Sequence, residues 1–362
     1  MVKAACLLAA ALLLVSSGAA YSRSQVSPTT IVWAEGRIAA FAQDGDQIAW
    51  ASMNDPVNCT IRIRLLGSKK QKIVAKPNDL LGCSVGYGMG DPRYQDLHLA
   101  LAGRRALWTL WDGGNVITAT LVTASYDSPR NVQLDELVNN ADYDGDFLGG
   151  TSGDSSTLVY GFTSYGFTDE QCPEAGEGCE PVVSGGGVER VTGAHKIEVP
   201  SASPSRMLAA SGHRIAVVVA GDTANSPGAT VVVTNAVAGD TVSSFSPAGT
   251  PLGIAFAPSV VAVLESADGE RQIEFYTPAG ELIRTVAIPD KATALSITDE
   301  RAVFRVGNSI RSVRVVAGSI QTIGTAAATP IGLSIEGTRV AWAENVKVHG
   351  VLHGRIVKVT VR

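Results

Sequence analysis

The sequence predicts an all-β fold, a seven-bladed β-propeller whose last blade is completed by an N-terminal strand. Three observations lead there. Past residue 20 the chain is a succession of short alternating or β-branched runs separated by Gly, Asp, Asn, Ser and Pro, with almost no helical periodicity. A compact apolar triplet recurs as Ile48-Ala49-Trp50, Ala106-Leu107-Trp108, Leu158-Val159-Tyr160, Ile215-Ala216-Val217, Val261-Ala262-Val263, Ala302-Val303-Phe304 and Val340-Ala341-Trp342. Small residues precede the triplets at Ala39-Ala40, Ala100, Gly149-Gly150, Ala209-Ala210, Gly253 and Gly332, as strands crowded on a narrow axis require.

Composition agrees. The 362 residues are 45% hydrophobic and 17% charged, enough apolar content for a core and too much for wholesale disorder. The 38 glycines follow no triplet period, which excludes collagen and points to many turns. With 29 basic and 34 acidic residues there is no global attraction to nucleic acid or an anionic membrane.

Taken in order, residues 1–20 read as a secretory signal peptide. Lys3 is followed by the apolar run Ala4 to Val15 and the small residues Ser16-Ser17-Gly18-Ala19-Ala20. That run is shorter than the ~20 residues that span a bilayer, which disfavours a membrane anchor. A secreted or periplasmic location follows, with residues 21–362 forming one domain. Blades are expected at 37–77, 96–137, 146–200, 206–248, 251–289, 292–324 and 330–362, each of about 49 residues once the links are included.

Short turns before the triplets are expected at Gly45-Asp46, Gly103-Arg104, Gly153-Asp154, Gly212-His213, Asp299-Glu300 and Gly337-Thr338. Arg105, Arg214, Arg301 and Arg339 directly precede four of the triplets. The last unit lacks an outer strand, and Thr30–Ala34 supplies one by pairing with Arg355–Val361, which covers an open edge. Two stacked β-sandwiches would use the same strand count but would not need a repeated unit.

This pattern resembles the WD-repeat and TolB-like β-propeller superfamily over essentially the whole mature chain. The resemblance is architectural. Units neither open on the Gly-His dipeptide nor close on the Trp-Asp dipeptide of WD-repeat blades, and unit five has Ala257-Pro258-Ser259 where TolB-like repeats carry an SPDG-type turn. It implies a fold and a habit of binding partners, with no particular partner.

The longer connections fall on the face opposite the short turns: Met53–Cys59, Asn78–Gln95, Asn139–Asp146, Gly161–Val188 and Asn345–Gly354. Loops on a rigid scaffold are where recognition resides, so the candidate binding face includes Tyr165, Asp169, Glu170, His349 and His353. Without Cys6 four cysteines remain, and they allow three pairings. The blade assignment favours Cys59–Cys83 and Cys172–Cys179.

Asp142, Asp144 and Asp146 have the spacing that opens many calcium loops. However, Phe147 and Gly153 stand where an EF-hand needs its glycine and its bidentate glutamate, so an acidic turn is the simpler reading and no cofactor is expected. Gly150-Thr151-Ser152-Gly153-Asp154 misses the G-x-S-x-G pattern of hydrolases. Gly185-Gly186-Gly187 reads as a bend.

The expected function is a monomeric, non-catalytic binding or scaffolding protein that recognises protein or carbohydrate. The alternative is an extracellular carbohydrate hydrolase or lyase, for which Asp142, Asp144, Asp146 and Asp154 are the nearest axial carboxylates. Mass mapping of the non-reduced protein should return Cys59–Cys83 and Cys172–Cys179 peptides. A Cys59–Cys172 peptide would overturn the pairing.

Overall fold

The computed structural model describes residues 27–54, 58–77, 79, 81–83, 97–113, 116–140, 144–167, 180–223, 226 and 228–361. The proposed signal peptide lies outside these residues. All regular structure among them is β, and no helix is long and apolar enough to cross a membrane.

After β1 (Thr29–Trp33), the first sheet comprises β2 (Arg37–Asp44), β3 (Gln47–Met53), β4 (Cys59–Leu65) and β5 (Gln71–Ala75). An eight-stranded sheet follows. It contains β6 (Leu99–Ala102), β7 (Arg105–Gly113), β8 (Val116–Ser125) and β9 (Val132–Asn140), then β10 (Gly145–Asp154), β11 (Thr157–Gly166), β12 (Val182–Thr192) and β13 (His195–Glu198).

Two further four-stranded sheets are β14 (Ser205–Ser211) to β17 (Thr241–Phe245), through β15 (Arg214–Val219) and β16 (Val231–Asn235), and β18 (Thr250–Ala257) to β21 (Leu282–Ile288), through β19 (Val260–Ala267) and β20 (Glu270–Tyr276). Another is β22 (Ala292–Ile297), β23 (Arg301–Val306), β24 (Ser309–Arg314) and β25 (Ile320–Thr325). The last joins β26 (Ile331–Glu336), β27 (Arg339–Val348) and β28 (Val351–Thr360) to β1.

The molecule is therefore a β-propeller, but not one of seven separate sheets: five sheets have four strands and one has eight. The cause is local. Where a long link Asn139–Asp146 was expected, Gly145 pairs with Asn139 and joins β10 to β9. Asn140 N–H donates to the Asp144 carbonyl at 2.8 Å, and Asp144 N–H donates to Asn140 Oδ1 at 3.0 Å. Only glycine tolerates this approach, since a Cβ at position 145 would lie 2.3 Å from the Val138 carbonyl oxygen. Asp135 of β9 strengthens the seam, accepting from Tyr160 Oη at 2.7 Å and pairing with Lys196 Nζ at 2.6 Å.

The strands nearest the axis touch in a closed cycle: β2, β6, β10, β14, β18, β22, β26 and back to β2. Close approach explains the small residues there. A Cβ on Gly149 of β10 would sit 1.8 Å from the Ser205 carbonyl oxygen of β14. Gly332 of β26, at φ +57°, faces the Phe41 carbonyl of β2 in the same way. Every residue of the seven apolar triplets is buried on β3, β7, β11, β15, β19, β23 and β27, where their rings fill the gaps between sheets.

Three other expectations change in detail. Gly153 and Asp154 end β10, and the turn falls at Ser155-Ser156. Gly185–Gly187 lies within β12 and pairs with Phe162–Ser164, so it is strand and not a bend. Asn345–Gly354 is not an open loop: β27 and β28 pair to Val348↔Val351, leaving His349 and Gly350, both at positive φ, as a two-residue hairpin turn.

Closure by β1 takes the expected form. Thr29 and Thr30 pair with Lys358 and Val357, and Val32 and Trp33 pair with Ile356 and Arg355. Val32 is buried and Thr29 is exposed on the same strand. Val32→Asp places an unpaired charge in the seam and should lower the unfolding free energy by about 2–4 kcal/mol in urea titration. Thr29→Asp should change it by less than about 0.5 kcal/mol.

Candidate functional site

The short-turn side of the ring is held by side chains that reach from one unit to the backbone of another. Asp44, the last residue of β2, accepts from the Gly103 N–H and, through both oxygens at 3.0 Å, from the Ser155 N–H. Asp154, at the matching position of β10, accepts from the Gly212 N–H at 2.6 Å. Ser152 Oγ accepts from Ala210 N–H at 2.9 Å, Asp299 from Ser259 N–H at 2.7 Å, and Ser296 Oγ from Ile335 N–H at 3.1 Å. Arg214 and Arg339, two of the arginines preceding the triplets, donate to the turn carbonyls of Pro258 and Gly45. These contacts tie neighbouring units together around the axis, and Asp44 reaches the turns after both β6 and β10.

They surround an axial cavity of about 550 Å3. Its walls come from β2, β10, β14, β18, β22 and β26 and the turns that follow several of them. They combine apolar Leu208, Ile254, Phe256 and Leu295 with the carboxylates Asp154, Asp299 and Glu336. Glu336 ends β26 as Asp44 and Asp154 end their strands. Burial first, and then the charges of Asp44 and Asp154, push its carboxyl up to about 7, against a backbone hydrogen bond from Gly45 and the charge of Arg339. Asp44 is also raised, chiefly by burial and further by Asp154, with the Ser155 and Gly103 N–H groups opposing. Three acidic side chains from three inner strands thus share one electrostatic environment.

Apart from Asp154, the described residues among those predicted from the sequence lie on the opposite side. Asp146 is inside β10, where Ser164 Oγ donates to it at 2.5 Å, and Asp144 precedes the strand. Asp142, Asp169, Glu170, Cys172 and Cys179 lie outside the described residues. Tyr165 packs edge-on against Phe147 at 5.5 Å, and burial raises its hydroxyl while Arg206 opposes. His349 sits at the β27–β28 hairpin turn and His353 on β28, beside a groove of about 580 Å3 that also takes in Arg37, Met53, Val351 and Leu352. Among the described residues no group of three or more His, Cys, Asp or Glu side chains is placed to hold a metal ion.

Cys59 and Cys83 form the expected disulfide, reinforced by a hydrogen bond from Cys59 N–H to the Cys83 carbonyl at 2.9 Å. Trp108 Nε1 donates to the neighbouring Gly82 carbonyl, also at 2.9 Å.

Sequence reasoning singled out Asp154 but missed Asp44, Asp299 and Glu336, along with Gln43 and Ser211, which also line the cavity. A signal was present. Asp44, Asp154, Ser211 and Glu336 each end an axial strand immediately before its tight turn, a register that places them around one mouth.

Neither a protein-family model nor a curated protein matches the sequence. Solved structures do match in shape. A chain of the Mitotic Checkpoint Complex is 12% identical at TM-score 0.54, with 99% of each chain covered. The β-propeller domain of the Trilobed protease from Pyrococcus furiosus is 10% identical at TM-score 0.52, covering 90% of this chain and 97% of that one. That domain is described as having an open velcro topology, whereas here β1 pairs with β28. BamB from Moraxella catarrhalis is 8% identical at TM-score 0.45, over 89% of this chain and 86% of that one. The architectural resemblance to propellers holds, and at these identities it shows the fold alone.

Between about pH 4.5 and 7, folded Glu336 keeps a proton that the unfolded chain has lost. Its contribution to stability is therefore complete below that window and disappears as pH rises through it. Glu336→Gln stays neutral throughout. The drop in melting midpoint between about pH 5 and about pH 7.5 should be smaller in the variant than in the wild type.

Proposed function

We propose that the protein is an extracytoplasmic, non-catalytic binding or scaffolding propeller, with the eight-stranded sheet acting as two blades of a seven-unit ring stitched together at Asn139 and Gly145. The cycle of contacts among the axial strands supports the count. The Cys59–Cys83 disulfide and the leader-like residues 1–20 support an oxidising compartment.

The observation that carries the binding reading is the β27–β28 hairpin tip. Val351 is 58% exposed and Leu352 41% exposed, beside a groove edged by Arg37, Asn54 and His353. An exposed apolar patch with a polar rim on the loop side of a rigid scaffold is suited to a protein or carbohydrate partner. Tyr165, Asp169, Glu170 and His349 belong to the same side in this reading.

The axial carboxylates fit a non-catalytic role because Asp44, Asp154 and Asp299 all accept hydrogen bonds from backbone N–H groups. A second reading, hydrolysis or elimination on extracellular carbohydrate, draws on Glu336, whose raised carboxyl suits a general acid.

The test combines melting measurements with a sugar panel, calcium and chelator with an assay for product from oligosaccharides and crosslinking to extracellular proteins. The binding reading expects ligand recognition that is lost in the Val351→Asp/Leu352→Asp double variant at an unchanged melting midpoint, with no sugar product. Product formed by the wild type and lost in Glu336→Gln would establish the enzyme instead. A rise in midpoint with calcium, reversed by chelator, would give Asp142, Asp144 and Asp146 a metal-binding role.

A further inference from the structure

Glu344 of β27 and Glu265 of β19 occupy the same place in their sheets, buried and two residues past the apolar triplet. Each accepts from the backbone of the link that enters its own sheet: Glu344 from the Ala327 N–H at 2.8 Å, and Glu265 from the Gly249 N–H at 2.9 Å. The residue paired with each on the next strand differs. Arg355 stands opposite Glu344 and lies 2.5 Å from its carboxylate. Gln272 stands opposite Glu265 and donates to it through Nε2, also at 2.5 Å. The Glu265 site lacks the cation and holds a second acid instead, because the Glu274 carboxyl of β20 is in hydrogen-bonding contact with Glu265.

Every other partner of the pair is neutral. Glu274 accepts from the Ala248 N–H at 3.1 Å, from Thr285 Oγ1 at 3.2 Å and from the Tyr276 hydroxyl. Both carboxyls are buried, Glu265 completely and Glu274 to all but 3%. The neighbouring cations are engaged elsewhere: Arg271 of β20 donates to the Ala292 carbonyl, and Arg284 of β21 packs beside Gly318. From the β14–β17 sheet Phe245 faces the site, stacked on Tyr276 at 4.2 Å. Among the described residues, the titratable groups that act on one another there are therefore Glu265, Glu274 and Tyr276. Burial first holds the Glu265 carboxyl above its ordinary range, Gln272 and the Gly249 N–H oppose, and Glu274 adds to the rise. Burial and the two acids likewise keep the Tyr276 hydroxyl neutral.

Two buried carboxylates in contact cannot both be charged without a cation, so one of them keeps a proton. That proton completes the set, because it lets one carboxyl donate to the other while the remaining oxygens accept from the link. We propose that a single proton shared by Glu265 and Glu274 latches the link between the β14–β17 and β18–β21 sheets, and that the latch opens as rising pH removes it to water. The second charge then repels the first, and the water that enters to solvate both displaces the Ala248 and Gly249 N–H groups. In the unfolded chain both acids ionise near the usual glutamate value of 4.5. The folded pair keeps its proton above that value. Its stabilisation is therefore complete below that pH and is lost as pH rises through the pair's own, higher titration.

The test is amide hydrogen exchange on the full mature protein, followed by NMR from about pH 5 to about pH 9 and corrected for the intrinsic pH dependence of exchange. Across that range Ala248 and Gly249 should lose at least about tenfold in protection relative to Ala327. Ala327 is the internal control, since Glu344 binds it beside a permanent cation. Glu274→Gln, which stays neutral and can donate to Glu265, should keep that ratio constant at every pH. Gln272→Arg, which copies the Glu344–Arg355 pairing, should do the same and stands in if Glu274→Gln does not fold. Glu336→Gln should leave the fall intact, which separates this latch from the axial carboxylates. A ratio that stays flat in the wild type, or a fall that persists undiminished in the folded Glu274→Gln or Gln272→Arg variant, overturns the proposal. Melting midpoints at about pH 5 show which variants are folded.

Discussion

The pairing of β1 with β28 is the contact on which the other features depend, because it closes the sheet that both ends of the ring share. Its partners, Thr29 to Trp33 and Arg355 to Lys358, come from opposite ends of the described chain. Such a contact is among the most costly to form in loop entropy, and it forms only with side-chain support. Val32 provides part of this by joining Ile38, Trp50, Ala341 and Ile356 in one buried cluster. Trp33 provides more: the Arg355 guanidinium lies 5.7 Å from its ring and is held there by the fully buried Glu344, at 2.5 Å. Glu344 in turn accepts from the Ala327 N–H at 2.8 Å, so one carboxylate ties the closing strand to the link from the preceding unit. Without β1, β28 would expose an open edge.

Closure at the rim allows a second ring of interactions at the axis. The axial strands approach closely enough that their turns can be joined by single side chains. Short carboxylates and hydroxyls suit this task, because each can accept from a backbone N–H that a turn leaves unpaired. The arrangement has an electrostatic consequence. Asp44 and Asp154 are brought together by the turns they hold, and burial first, then the charge concentrated there, raises Glu336 of β26. Structural anchoring and the unusual chemistry of the cavity thus have the same origin.

How much of this was legible depended on whether the signal was local. The apolar triplets are local patterns, so their burial and the strand repeat could be read directly. Closure by Thr30–Ala34 was legible because the last unit lacks an outer strand. The seam between β9 and β10 was not. Asn139 to Asp146 reads as a polar link, and its pairing rests on a backbone approach that only Gly145 permits. Asn345–Gly354 reads as a connection, whereas it is paired strand on both sides of a two-residue turn. Gly350 makes the turn, whereas Gly354 lies within β28, where a Cβ would be 2.6 Å from Ile38 Cγ1. The axial acids were hidden for a different reason. Asp44 and Ser155 are 111 positions apart, and only the closed ring makes them neighbours. The arginines before the triplets have no role visible in the sequence alone, and the closed ring makes Arg214 and Arg339 donors to the next turn.

The two sides of the ring therefore differ in kind. On the short-turn side, backbone-bound side chains hold the cavity walls from several directions. On the other side, hairpins and links extend from the scaffold, and each is secured more locally, as the Cys59–Cys83 bridge and the Trp108 bond to Gly82 secure the segment beside β4. Extensions of that kind can change in length and composition without disturbing the ring, which makes them suited to partner-specific contacts. The cavity cannot vary so freely, because replacing Asp154 would remove both a lining carboxylate and the anchor of the Gly212 turn, and replacing Asp44 would release the turns at Gly103 and Ser155. A propeller built this way couples one rigid polar site to its own stability and leaves the opposite face free to diversify.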